Sequence, residues 1–188
     1  METPLETARL ILRPLQPDDW QAVLSYTADP VVMRYLPERL MMREPASDDK
    51  QLSCPDKFAI NLKVDGAFIG HLLFCHHDSE QLVREIGWVI SPPYQRHGYA
   101  TEAAAALLTY GFETLGLQRV VAACDSRNLA SLRVMEKLNM QREAQFQDCL
   151  FRQGEWIEEY VYAIHVDRWR AAARHTSQGN IGITETTD

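Results

Sequence analysis

Alternation of apolar and polar residues opens the chain. In "ARLILRPL" the apolar positions recur every second residue, which predicts a first strand closing at Pro14. Asp18 or Asp19 can cap a helix running to about Tyr26, and in "DPVVMRYL" Pro30 falls in the first turn of a second helix, where its missing N–H costs nothing. Periodicity is lost between Pro37 and Pro55, in "PERLMMREPASDDKQLSCP", a stretch that predicts a long loop or a frayed helix. "FAINLKVDGAFIGHLLFC" then predicts two strands joined by a tight turn at Asp65-Gly66. After a second polar turn, "HHDSEQ", a further strand, "REIGWVIS", is stopped by Ser91-Pro92-Pro93.

The pattern changes at "YQRHGYATEAAAALLTYGF" from period two to helical spacing. Ala100, Ala103, Ala104, Leu107, Gly111 and Leu115 share one face, and Glu102, Thr109 and Glu113 the other, so one side packs on a sheet and the other meets water. "QRVVAACD" predicts a short strand, "NLASLRVMEKLNM" an amphipathic helix, and "QREAQFQDCL" with "EWIEEYVYAIHV" a last hairpin turning at Gly154. The order is mixed α/β. Residues 1–170 are expected to form one domain, and 171–188, with little to bury, a flexible tail.

Composition narrows the partners. A chain of 188 residues with 46% hydrophobic content can bury a core. Its net charge of −7 argues against a surface that generally attracts nucleic acid or anionic lipid, so any anionic ligand must be held locally. No run reaches the ~20 apolar residues of a membrane helix, and no signal peptide opens the chain, so a cytoplasmic protein, monomer or homodimer, is expected. Cys54, Cys75, Cys124 and Cys149 are scattered without a C-x-x-C pair and read as reduced thiols.

The basic, glycine-bearing turn "QRHGYA" stands at the mouth of a helix. The first amides of a helix lack intrahelical partners and the peptide dipoles make that end positive, so an anion fits there. Gly98 permits backbone conformations closed to other residues, Ala100 keeps the next turn bare, and Arg96 and His97 add positive character. From these residues alone a phosphate cradle and a strain-relieving turn stand open side by side. Neither the P-loop nor the G-x-G-x-x-G pattern is present.

"EIGWVISPPYQRHGYATEA", followed by a strand and "NLASLRVMEKLNM", resembles the GNAT superfamily of acyl-CoA-dependent N-acetyltransferases, whose signature is Q/R-x-x-G-x-G/A. Gln95, Gly98 and Ala100 hold its three defined places. "TARLILRPLQPDDW" and "FRQGEWIEEYVYAI" look most like the branch that acetylates the N-termini of ribosomal proteins. The resemblance runs from about Thr7 to Val166. It implies a mixed, mostly antiparallel sheet of about seven strands with helices on both faces.

By this resemblance the cosubstrate is acetyl-CoA and the acceptor a primary amine, on a peptide N-terminus or a small molecule. Trp88, Val89 and Ile90 form the splayed strand that pairs with the pantetheine arm, with an N–H near Val89 for the acyl oxygen. Arg96, His97, Gly98, Tyr99, Ala100 and Thr101 surround the pyrophosphate, and Asn128 contacts the cofactor arm. Ser131 is implied as hydrogen-bond partner of the departing sulfur, because the place where many relatives carry a tyrosine holds Met135. Glu85 is the candidate base and equally a strand-end charge or partner of Arg84; Asp148, Glu155 and Glu158 are substitutes.

No metal is expected. His71 and Cys75 share a strand face but stand about 13 Å apart, too far for one ion. Met41 and Met42 with Tyr35 and Trp20 are candidates for the acceptor site or for packing. The alternative to an enzyme is a catalytically silent acyl-CoA-binding module, a doubt that Met135 raises. A nucleotide-binding domain of another kind would bind phosphate without selecting the thiol arm.

Overall fold

The computed structural model describes residues 4–36, 56–77, 80–152 and 154–178. Its strands are β1 (Leu5–Glu6), β2 (Leu10–Pro14), β3 (Lys57–Leu62) and β4 (Phe68–His77), then β5 (Glu80–Ile90), β6 (Arg119–Asp125), β7 (Gln141–Arg152) and β8 (Glu155–His165). Helices are α1 (Trp20–Thr27), α2 (Pro30–Met33), α3 (Tyr99–Thr109), α4 (Leu129–Lys137) and α5 (Val166–Gln178). The strands make one sheet in the order β1-β2-β3-β4-β5-β6-β8-β7, eight where about seven were expected. All pairs are antiparallel except β5 with β6.

That exception positions the site. A parallel pair needs a crossover, here α3, and β5 and β6 pair only at Val83↔Arg119, Arg84↔Val120 and Glu85↔Val121. Beyond Glu85, β5 keeps β4 as a neighbour to Ile90 and β6 keeps β8 to Asp125, so the sheet forks.

Side-chain alternation gives each face its own core. Phe58, Ile60, Leu72, Phe74, Ile86, Val120, Ala122 and Ile164 pack with Ala103, Ala104, Leu107 and Leu108 of α3 and Met135 of α4. Ala59, Leu73 and Val89, on the opposite face, pack with Val23 and Tyr26 of α1 and with Val32 and Leu36.

Several local expectations change. The Asp65-Gly66 connection is a longer loop: only Gly66 of the two is left-handed, at φ 73°, and Leu62 N–H closes onto Ala67 O at 2.9 Å. Asp19 holds the N-cap place of α1 without a side-chain cap bond; it ends a 3-10 turn, accepts from Gln16 N–H at 2.7 Å and faces Arg13. Helix α3 runs on through a π-helical turn at Tyr110–Thr114, which brings Phe112 into the core beside Gly111. Helix α5 extends to Gln178, past the point where the sequence ends the ordered domain, with Trp169 packed 5.3 Å from Phe112 between ring centroids. The Pro37–Pro55 loop, Met41, Met42 and Cys54 lie outside the described residues.

Candidate functional site

Both walls of the fork line a cavity of about 550 Å³. Ile86 to Ile90 form one side and Ala123 to Asp125 the other. The mouth is bounded by Tyr94, Gln95, Arg96 and Gly98 to Thr101 at the start of α3, and by Asn128 to Ser131 at the start of α4. Val31, Val32, Tyr35 and Leu36 close the α2 side.

The β5 wall has polar backbone to offer. Ser91 N–H donates to Ile69 O at 2.9 Å and Val89 O stands so near Gly70 that an added Cβ would lie 2.2 Å from it, so Val89 turns its peptide groups toward β4. Alternation turns those of Trp88 and Ile90 into the fork, the neighbours of the Val89 position expected from sequence. Gln95 fixes this edge to the next loop, its Nε2 donating to Ile90 O at 2.9 Å.

The loop itself is a concave row of amides. Arg96 and Gly98, two residues apart, are left-handed at φ 65° and 83°, and such turns direct successive N–H groups to one side. The first intrahelical bond of α3 is Glu102 N–H to Gly98 O at 3.0 Å, so the N–H groups of Tyr99, Ala100 and Thr101 have no intrahelical partner. His97 stands apart from the cavity lining: its Nδ1–H donates to Gln95 O at 2.7 Å and its ring stacks on Tyr99, centroids 5.7 Å apart.

On the other helix Asn128 Oδ1 accepts from Ser131 N–H at 3.2 Å, an N-cap that also faces the cavity. Ser131 lines the cavity one turn in, and Met135 closes its inner end, 1% exposed.

Glu85 sits at the last position of β5 that pairs with β6, at the vertex of the fork on the same face as Val89, while the cavity lining starts at Ile86. Arg84 is held by Asp56 at 3.0 Å and by Phe74 O at 2.7 Å. The carboxylates that do line the cavity are Asp125 and Glu159, opposite each other in the β6–β8 register, and sequence reasoning missed both. Burial pushes the Asp125 carboxyl up, but three hydrogen bonds from Arg127 and the charge of Arg152 outweigh it and hold it below its ordinary value. Among the substitute bases, Glu155 pairs with Arg127 at 2.8 Å and Glu158 accepts from Gln145; Asp148 is exposed on a bulge of β7.

His71, fully buried, contacts the Tyr26 hydroxyl through Nδ1 at 2.5 Å, and burial first, then the charge of Asp19, pushes the Tyr26 phenol far up. Among the described residues no group of His, Cys, Asp and Glu is arranged to hold a metal ion. Cys124 and Cys149 are free thiols, and burial first, then Glu159 and Asp125, pushes Cys124 up to about 12. No described helix is long and apolar enough to cross a membrane.

The acetyltransferase (GNAT) domain family matches residues 9–141. The chain belongs to that family. An uncharacterized N-acetyltransferase of Bacillus subtilis, YnaD, is 41% identical over 168 residues, 88% of this chain and 98% of its own length. A crystal structure of a GNAT-family acetyltransferase from Bacillus anthracis superposes with a TM-score of 0.77 at 37% identity, covering 88% of this chain and 99% of the other. Two lower-identity relatives carry acceptors in their names. One is the spermidine N(1)-acetyltransferase of Escherichia coli, 26% identical over 77% of this chain and 80% of its own. The other is a putative ribosomal N-acetyltransferase of Bacillus subtilis, YdaF, 29% identical over 57% of this chain and 59% of its own. This GNAT chain is thus an acetyltransferase, and the sheet fork and glycine-bearing loop are the features its resemblance implied.

Proposed function

We propose that this acetyltransferase transfers an acetyl group from acetyl-CoA to a primary amine by direct attack on the thioester. The observation that carries the reading is the opening of the β5–β6 fork and the amide row at Arg96–Thr101 into one cavity. The residues fit the cosubstrate. The fork-facing backbone of Trp88 and the Ile90 N–H suit an amide-bearing pantetheine arm, and the left-handed loop suits a pyrophosphate that needs close backbone approach. When bound, acetyl-CoA supplies the activated acyl group.

The chain's own groups then have limited work. The Trp88 or Ile90 N–H would donate to the acyl oxygen as charge develops on it. Ser131 is assigned to hydrogen-bond the departing sulfur, directly or through water. Asn128 holds the first turn of α4 so that Ser131 faces the cavity. Glu85 is assigned as the base that takes the amine proton through the vertex of the fork. Glu159 is the second candidate, because it lines the cavity. Asp125, its oxygens engaged by Arg127, is a structural anion.

The acceptor would enter past the apolar wall of Val31, Val32, Tyr35 and Leu36 toward Glu159. A peptide N-terminus and a small amine both match that combination of charge and apolar surface. The buried Met135, at the place where many relatives carry a tyrosine, favours the second reading, a CoA-binding module without turnover.

Thiol release from acetyl-CoA, measured with a ribosomal-protein N-terminal peptide and with small amines including spermidine, separates these outcomes. Turnover on any of them supports the enzyme, and CoA binding without turnover on all of them supports the module. Gly98→Asp puts a carboxylate into the amide row at a φ that side chains rarely adopt; it is expected to abolish CoA binding while the circular dichroism stays that of a folded α/β protein. Unchanged CoA affinity in this variant would remove the loop as the pyrophosphate site.

A further inference from the structure

We propose that Arg9, with Glu102, is a positioning residue for the cofactor loop, an inference that rests on the function proposed above. Arg9 precedes β2, yet its NH1 donates to His97 O at 3.1 Å, its Nε donates to Glu102 Oε2 at 2.7 Å, and its guanidinium lies 4.5 Å from the Tyr99 ring centre. Glu102 Oε1 in turn accepts from the Arg9 main-chain N–H at 2.9 Å and from the Thr7 hydroxyl at 2.6 Å. One carboxylate therefore ties the β1–β2 turn to the first turn of α3.

The contact to His97 O decides which way the loop points. A trans peptide directs its C=O and the next N–H to opposite sides. With His97 O held by Arg9, the Gly98 N–H turns away from it. The His97 ring does the same one step earlier: it holds Gln95 O, and the Arg96 N–H turns the other way. Both carbonyls that would otherwise present negative ends to a pyrophosphate are engaged by side chains, and the left-handed conformation of Arg96, unfavourable for a residue with a Cβ, is kept in place. Burial pushes the Glu102 carboxyl up, but the hydrogen bonds from Thr7 and Arg9 outweigh it and keep the group ionised. Arg9 is not among the cavity-lining residues, so it acts through the loop.

A half-exposed ion pair serving the fold alone is worth little, and this separates the two roles. For Arg9→Ala, roughly tenfold weaker CoA binding by calorimetry is expected, the scale of one lost charged hydrogen bond. The KM for acetyl-CoA should rise in proportion, with kcat falling less than twofold and the acceptor KM unmoved. Glu102→Gln should move the same constants in the same direction. Arg9→Lys should not restore binding, since one ammonium cannot span carbonyl and carboxylate as a planar fork does; if Arg9→Ala fails to fold, Arg9→Lys is held to the same tenfold criterion. CoA affinity within twofold of the parent in these variants, or a fall in kcat with affinity intact, overturns the inference. A parent protein that binds no CoA would instead overturn the proposed function, so the two failures are distinct.

Discussion

At the residue scale, Asp19 shows how a buried charge is kept. It is 8% exposed, and Arg13 donates to its two oxygens at 2.7 and 2.6 Å while Gln16 N–H adds a third bond. Burial pushes its carboxyl up, and these bonds outweigh burial and lower it below the ordinary 3.8. A lowered carboxyl contributes stability that is present above the unfolded value and lost as pH falls through the folded one. Arg13→Ala should therefore cost about 2 kcal/mol at pH 7. The gap to the parent should close as urea titrations are taken below pH 3.8.

The base belongs to the same scale. Glu85→Gln is expected to lower kcat/KM mainly at low pH, where few acceptor amines are neutral, and to converge on the parent as pH approaches an α-amine pKa near ~8. A pH profile displaced uniformly would remove Glu85, and that low-pH loss in Glu159→Gln instead would move the role to β8.

Conformations set locally were legible in the sequence: Gly98 as the glycine before a helix, and Asn128 as a cap three residues before Ser131. Arg9, Glu102, Asp125 and Glu159 were not. Arg9 and Glu102 meet across 93 positions and Asp125 meets Glu159 through strand register, and neither juxtaposition leaves a periodic trace.

Among elements, β4 and β5 are matched by an absence of side chain. Any Cβ at Gly70 would lie 2.2 Å from Val89 O and 3.1 Å from Ile90 Cα, so a larger residue must displace the strand whose far edge faces the cavity. Gly70→Ala is expected to destabilise by about 2 kcal/mol, and to weaken CoA binding as well, both readable from denaturant titration and calorimetry. Gly116→Ala is the control: that glycine is left-handed at φ 67° with nothing within 4 Å, so its strain should lower stability and leave CoA affinity alone.

Element boundaries were legible where punctuation is strong, as at Ser91-Pro92-Pro93, where β5 ends at Ile90. They were less so where tertiary packing decides. The π-helical turn after Thr109 lets Gly111 lie against Phe74 and Leu117, where an added Cβ would come within 2.9 Å of both, and no composition signals that contact. Helix α5 passed unnoticed because its apolar content is low and its anchor, Trp169 on Phe112, joins segments far apart in sequence.

Over the whole molecule, the mixed order and seven of the eight strands followed from the sequence because each segment carries its own period; the two-residue β1 is too short to show one, and the fork came only with the family resemblance. Splaying is a relation between β5 and β6, and the residues on either side look like ordinary strand. Three register pairs join the two halves of the sheet. Past them, β5 is an edge strand that happens to lie in the middle, with polar backbone turned toward a gap. Edges of this kind recruit any extended chain that fits, and proteins usually blunt them. On the proposed function the acyl donor is that chain, an intermittent ninth strand. Each turnover would then complete and reopen the sheet, and cosubstrate at a hundred times its Kd would hold the fold about 2.7 kcal/mol more firmly than an empty fork does.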